Sequence, residues 1–186
     1  MPAELRKRKV AVLGARSVGK SSLIMQWAEG CFLDSYYPTI ENSVSKSLNL
    51  KGVQYDCEVI DTAGQDEYSI FNSRHAVGIH GYVLVYSVAS RTSFDMIQVL
   101  YDKIVDFCGV SQIPCVIVGS KVDLPARQVP TEEGQQLAKE NSAAWIETSA
   151  KQNVNVGKVF ELCLAQVDKQ TSGKQTEAPA KGCTLM

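Results

Sequence analysis

The chain has 186 residues, 45% hydrophobic and 21% charged, with 19 Lys and Arg against 20 Asp and Glu for a net charge of −1. That length holds one domain with a sizeable core and is too short for two ordinary ones, and the composition excludes a disordered or fibrous chain. The near-neutral balance excludes a whole-protein field that would draw nucleic acid or an anionic membrane.

Only Arg6-Lys7-Arg8-Lys9 is locally basic, and it reads as the solvated start of a strand. Cysteines at 31, 57, 108, 115, 163 and 183 are too scattered for zinc-ligand spacing or a disulfide framework. Most are expected to be reduced, several as small core residues. No stretch approaches the roughly 18 apolar residues of a transmembrane helix, and the polar start lacks the apolar core of a secretory signal. The chain is expected to stay in the cytosol unless something attaches it to a membrane.

In chain order, Val10-Ala11-Val12-Leu13 is continuously apolar, the pattern of a strand covered on both faces. Gly14-Ala15-Arg16-Ser17-Val18-Gly19-Lys20-Ser21 follows and leads into the helix-like Ser22 to Trp27. A strand, a loop of this spacing and a helix make a phosphate cradle. The glycines let successive N–H groups turn inward, Lys20 reaches β- and γ-phosphates, the Ser21 hydroxyl can ligate Mg²⁺, and the helix adds its positive end.

Ser43 to Leu50 and Val53 to Ile60, separated by Lys51-Gly52, read as a hairpin that puts one antiparallel strand at a sheet edge. Asp61-Thr62-Ala63-Gly64-Gln65 comes next. There a strand-end carboxylate can hold Mg²⁺ through water, and the Gly64 N–H can meet a γ-phosphate. Between the loop and this segment, Ser35-Tyr36-Tyr37-Pro38-Thr39-Ile40-Glu41 offers the Thr39 hydroxyl to complete the metal shell only when a γ-phosphate is present, which makes a detector.

Tyr82 to Tyr86 and Pro114 to Val118 read as two more buried strands. Between them a helix near Thr92 to Phe107 presents Phe94, Ile97, Leu100, Ile104 and Phe107 at helical spacing. Thr131 to Asn141 reads as a polar surface helix with Thr131 as its N-cap. Trp145 to Thr148 is expected as the last strand, and Val154 to Lys169 as the last helix, burying Val156, Val159, Phe160, Leu162, Cys163 and Val167. From Thr171 the composition is that of a flexible linker. The alternation of strands and helices defines an α/β fold, with a domain over 1–170 and a tail over 171–186.

A phosphate loop alone fits a kinase, an ATPase or a GTPase. With Pro38-Thr39, Asp61 to Gln65, Ser120-Lys121-Val122-Asp123-Leu124 and Ser149-Ala150-Lys151 in this order, the chain resembles the Ras superfamily of small GTPases over about residues 8 to 170. The resemblance implies a P-loop NTPase fold of the Ras-like G domain type, with a six-stranded, mostly parallel sheet, one antiparallel edge strand and helices on both faces. It implies a GTP/GDP site lined by residues 16–22, Tyr36, Pro38, Thr39, Gly64, Ser120, Lys121, Asp123, Leu124 and Ser149 to Lys151, with Ser17, Val18, Gly19 and Ser22 among the loop residues. It also implies that Lys121 lies along the guanine plane, Asp123 accepts from N1–H and N2–H₂, and the Ala150 N–H donates to O6. Adenine would set a lone pair against the Asp123 carboxylate, a strongly discriminating mismatch.

Within the superfamily, Arg16-Ser17, Asp34 to Tyr36, Pro38 to Asn42 and Asp61 to Phe71 are similar to the Rheb family. That likeness implies a farnesylated activator of a TOR-type kinase complex, switched off by a tuberin-type GTPase-activating protein. The expected reaction is in-line attack of water on the γ-phosphate, with Lys20 and Mg²⁺ neutralising charge and Gln65 the standard residue for orienting the water. Arg16 can crowd Gln65 and slow hydrolysis below that of ordinary Ras proteins, or it can simply lie in solvent. The likeness reduces Gln65 to a minor role and implies that Tyr36 closes over the nucleotide.

Two residues depart from the pattern. Ser120 stands where the motif usually has Asn, whose amide bonds guanine N7 and ties the base loop to the phosphate loop. A hydroxyl can keep one of these bonds, which predicts weaker nucleotide binding by about 1 kcal/mol for each lost bond. Tyr37 stands where Asp is usual and bears on effector and GAP contacts.

The chain ends Cys183-Thr184-Leu185-Met186, a CaaX box whose final Met favours attachment of farnesyl by farnesyltransferase. Lys169, Lys174 and Lys181 are the only basic residues of the tail, and no second Cys lies near. A single prenyl group then gives reversible anchoring, with exchange among lysosomal or vacuolar, Golgi or ER membranes and a cytosolic pool. A monomer is expected, with no nucleic acid partner beyond the mononucleotide. The alternatives to a GTPase switch of this kind are a GTP-holding regulatory module with negligible hydrolysis and a Ras-type switch with another effector. A small-molecule kinase is disfavoured by the lack of an Arg-rich lid segment.

Overall fold

The computed structural model describes residues 5–34, 39–64 and 77–174, with side chains described to residue 172. Its order is β1 (Leu5–Gly14), α1 (Lys20–Glu29), β2 (Asn42–Leu50), β3 (Val53–Asp61), β4 (Gly81–Ser87), α2 (Arg91–Cys108), β5 (Cys115–Ser120), α3 (Thr131–Glu140), β6 (Ala144–Glu147) and α4 (Val156–Lys174). The strands form one sheet in the order β2-β3-β1-β4-β5-β6. β1 runs parallel to β3 and β4, β5 is parallel to β4 and β6, and β2 alone is antiparallel, at the edge. Lys51 and Gly52, at φ 51° and 81°, make the two-residue turn of the β2–β3 hairpin, the geometry whose twist matches the flanking strands.

The apolar runs are continuous because the sheet is covered twice. In β1, Val10 and Val12 join Leu23, Ile24 and Trp27 of α1 and Val159 and Phe160 of α4. Their neighbours Ala11 and Leu13 point the other way, to Ile97, Leu100 and Ile104 of α2 and Ala138 of α3. β4 and β5 divide in the same manner, as side chains alternate along a strand. The rings of Trp27 and Phe160 stack at 4.2 Å and join α1 to α4.

Several local expectations are corrected. The basic Arg6 to Lys9 lies inside β1 rather than ahead of it, paired in register with Tyr55 to Glu58. Lys9 meets Glu58 at 3.4 Å, and Arg8 meets Asp168 at 3.7 Å. Phe107 is 49% exposed, because Cys108, four residues after Ile104, takes the inward position on the last turn of α2. Thr131 is the first residue of α3 and not its cap. Pro130 holds the cap position without a side-chain bond, and the Thr131 hydroxyl donates instead to Glu147 Oε1 at 3.2 Å. In α4, Leu164 is fully buried while Leu162 is only partly so. The helix also continues past Thr171, where a linker was expected, to Lys174. Extending a formed helix is far easier than nucleating one, and the Thr171 hydroxyl bonds back to the Val167 carbonyl at 2.9 Å. Cys57, Cys115 and Cys163 are buried, and all five described cysteines are free thiols.

Candidate functional site

β1 delivers the chain to the sheet's C-terminal edge at Gly14. A Cβ there would lie 2.2 Å from the Val85 carbonyl oxygen of β4, so only glycine fits. The loop then turns through Ser17 at φ 60° and Gly19 at φ 99°. Gly19 is the N-cap of α1 and makes no side-chain cap bond, and the first turn carries no acidic residue. The free N–H groups and the positive end of the helix dipole are left open to an anion.

Lys20 is only 6% exposed. Its Nζ donates to the carbonyls of Gly14 at 3.0 Å and Ala15 at 2.8 Å, which hold the charge inside the loop. Burial pulls its pKa down to about 8, with Asp61 opposing that fall. A buried ammonium held by neutral carbonyls gains strongly from a phosphate arriving beside it. Arg16 lies on the exposed side of the same loop. A Cβ on Gly64 would fall 2.4 Å from Arg16 Cγ and 2.6 Å from its Cα, so the stem of Arg16 covers Gly64 directly.

A second group of oxygens gathers next to Lys20. Asp61, at the end of β3, is 7% exposed, and its Oδ1 has no hydrogen-bond partner among the described residues. Burial raises its pKa, while a hydrogen bond from Ser21 and the charge of Lys20 lower it. The Ser21 and Thr39 hydroxyls lie 2.7 Å apart. One carboxylate with an unused oxygen beside two hydroxyls is a hard-oxygen donor set of the kind Mg²⁺ takes together with phosphate oxygens and water. Among the described residues no cluster of three His, Cys, Asp or Glu side chains exists, so a metal held here needs a ligand's oxygens to complete its shell.

The loops after β5 and β6 close the other end of the site. The Thr148 N–H donates to the Gly119 carbonyl and the Val122 N–H to the Thr148 carbonyl, so residues 120–124 and 148–151 form one unit. Ser149 Oγ donates to Asp123 Oδ1 at 2.6 Å and fixes the carboxylate. Lys121, at φ 63°, reaches across so that its Nζ donates to the Ser17 carbonyl at 2.6 Å. Ser120 Oγ donates to the Val18 carbonyl, with the Tyr86 carbonyl 2.9 Å away. These two contacts bind the base-side loop to the phosphate loop.

The structure therefore brings together Arg16, Ser17, Val18, Gly19, Lys20, Ser21, Ser22, Thr39, Asp61 and Gly64 at one end and Ser120, Lys121, Asp123, Ser149 and Ala150 at the other. Leu124 is 41% exposed at the rim. Lys151 turns outward and meets Asp34 at 3.9 Å. Tyr36, Tyr37, Pro38, Gln65 and Cys183 lie outside the described residues, as does the rest of the Rheb-like stretch to Phe71. Sequence reasoning missed Thr62, whose buried hydroxyl donates to the Val12 carbonyl at 2.8 Å and pins the end of β3 to β1, setting Asp61 against the loop. Its only signal was a hydroxyl residue next to the strand-end carboxylate.

Comparison with known proteins agrees with this geometry. The Ras family model matches residues 9–169. The chain is 50% identical over 184 residues to GTP-binding protein rhb1 of Schizosaccharomyces pombe, covering 98% of this chain and 99% of that protein. It is 49% identical to the small monomeric GTPase RhbA of Aspergillus fumigatus over the full length of both. It is 48% identical to GTP-binding protein Rheb of Homo sapiens over 165 residues, 88% of this chain and 90% of that one.

Proposed function

The chain belongs to the Ras family of small GTPases, in its Rheb group, and on that premise we propose that it is a slow, Mg²⁺-dependent GTP/GDP switch acting from a membrane on a TOR-type kinase complex. The observation that carries the switch chemistry is the convergence of an uncapped helix start, buried Lys20 and the unused Asp61 oxygen on one small volume. Ser21 and Thr39 would hold Mg²⁺ directly and Asp61 through water, and the ion when bound neutralises charge between the β- and γ-phosphates. Thr39 belongs to the segment that senses a γ-phosphate, so losing that phosphate frees it from the site. At the other end, Asp123, fixed by Ser149, accepts from the guanine Watson–Crick edge.

The slow rate rests on Arg16. Its stem occupies the face of Gly64 where a γ-phosphate and the residue after Gly64 must be arranged, so the attacking water is poorly placed without a partner. A tuberin-type GAP that brings its own polar group fits this restriction. The same contact supports a second reading, a module that holds GTP with negligible hydrolysis. A domain that runs through α4 to Lys174, a tail beyond it, farnesylation of Cys183 and reversible residence on endomembranes complete the proposal. They are supported by the CaaX box and by the absence of a polybasic tail.

The test is to identify the nucleotide released from purified protein and then follow γ-phosphate loss from preloaded GTP in a single turnover. Guanine nucleotide with slow, Mg²⁺-dependent loss that a tuberin-type GAP accelerates is the expected result. No loss even with the GAP favours the holding module, and adenine nucleotide overturns the assignment.

A further inference from the structure

Ser120, together with Lys121, joins the base-side loop to the phosphate loop, and its hydroxyl carries one proton. Both oxygens near Ser120 Oγ are backbone carbonyls, of Val18 and of Tyr86. A carbonyl only accepts, so the single proton is committed within the protein. Ser120 is 5% exposed, which leaves water little access to compete with these partners.

The consequence follows from the order of groups around guanine. N1–H, O6 and N7 succeed one another along the edge of the base. With N1–H on Asp123 and O6 next to Ala150, N7 comes round to the end of β5, where Ser120 stands. N7 carries an in-plane lone pair and needs a donor. Lys121 has its ammonium on the Ser17 carbonyl instead. We propose that this protein reads guanine through N1, N2 and O6 alone and is indifferent to N7, with Ser120 acting as a tie between the two loops and not as a base contact. The ligand class is thus wider than guanine nucleotides and includes purine nucleotides that keep the guanine Watson–Crick edge but lack the N7 acceptor. The inference rests on the guanine-switch reading above.

The probes are GDP and 7-deaza-GDP, which differ at position 7 by N against C–H, competed for the full chain in Mg²⁺ buffer. The two should bind within about twofold of each other. Ser120→Asn restores a donor and is expected to prefer GDP by roughly fivefold or more, the effect of one hydrogen bond. Ser120→Ala should weaken both nucleotides by a similar factor and leave their ratio near one, because only the tie is lost. A fivefold or greater preference for GDP by the unsubstituted protein overturns the proposal. Failure of GDP itself to bind, or equal competition by ADP, overturns the guanine reading instead, so the two failures are distinct.

Discussion

Gly134 is an interior residue of a helix, where glycine is usually a weakness. Two rings need the space. A Cβ at this position would fall 2.4 Å from Trp145 Nε1 and 2.4 Å from the Tyr86 hydroxyl, which hydrogen-bond to each other at 3.4 Å. On an open helix face, Gly to Ala gains about 1 kcal/mol of helix propensity. Overpacking of this kind costs about 1–3 kcal/mol, so Gly134→Ala is expected to lose up to about 2 kcal/mol in urea unfolding of the nucleotide-loaded protein. A gain in stability would show that the rings move aside freely. Nothing in the helical pattern announced this residue, since the requirement comes from side chains of β4 and β6, outside the helix. Arg16 was legible as unusual, but its contact with Gly64 was not. If that contact slows hydrolysis, Arg16→Gly should raise the single-turnover rate several-fold with nucleotide affinity little changed. An unchanged rate would leave Arg16 a solvent-facing residue.

The elements were legible where pattern and packing agree. Val10 to Leu13 and Tyr82 to Tyr86 are buried on both faces of the sheet and read as unbroken apolar runs, and Lys51-Gly52 fixed the hairpin. Boundaries set by tertiary contact were less visible. Thr131 has the chemistry of a cap, yet Glu147 on β6 takes its hydroxyl, and Phe107 has helical spacing but is half exposed while Cys108 packs on the core. The base-side contacts of Ser120 were half legible, because the residue announced one surviving bond but not which one. At the start of β4, His80 Nδ1 accepts the Lys9 N–H at 2.9 Å, and burial, with Arg8 adding to it, lowers its pKa below the usual 6.5. The neutral ring is the one that fits, so the unfolded chain binds more protons near pH 6. The histidine's contribution to stability is then complete above pH 6.5 and is lost as pH falls through the lower folded value. An NMR titration should place His80 below 6.5, with the Lys9 amide shifting in the same step as a proton enters Nδ1. A midpoint at or above 6.5 with a stationary Lys9 amide would contradict this.

Across the whole molecule, the two ends of the site belong to different loops at one sheet edge, and in the proposed switch metal and nucleotide hold each other in place. Chelating Mg²⁺ should therefore speed release of bound GDP by about tenfold or more, on the order of one lost charge-assisted contact. Asp61→Ala should show fast release even with Mg²⁺ present. Release that ignores chelation would detach the buried Asp61 oxygen from metal binding.

The proposed attachment to a membrane rests on charge and chain chemistry at the same scale. With a net charge of −1 and lysines at 174 and 181 toward the end, the molecule has little electrostatic attraction to anionic lipid. One prenyl chain alone gives marginal, reversible binding, and each added lysine near the surface contributes about 1 kcal/mol. The farnesylated protein is expected to sediment with phosphatidylserine vesicles yet wash off on dilution, and Cys183→Ser is expected to stay in the supernatant. Replacing Thr176 and Glu177 by lysine should raise the vesicle partition coefficient about fivefold per added lysine at low salt, roughly the worth of 1 kcal/mol. That gain should fade as salt screens it. If the unsubstituted protein instead stays on the vesicles through repeated washing, the domain itself contributes a lipid contact, and the single-anchor account fails.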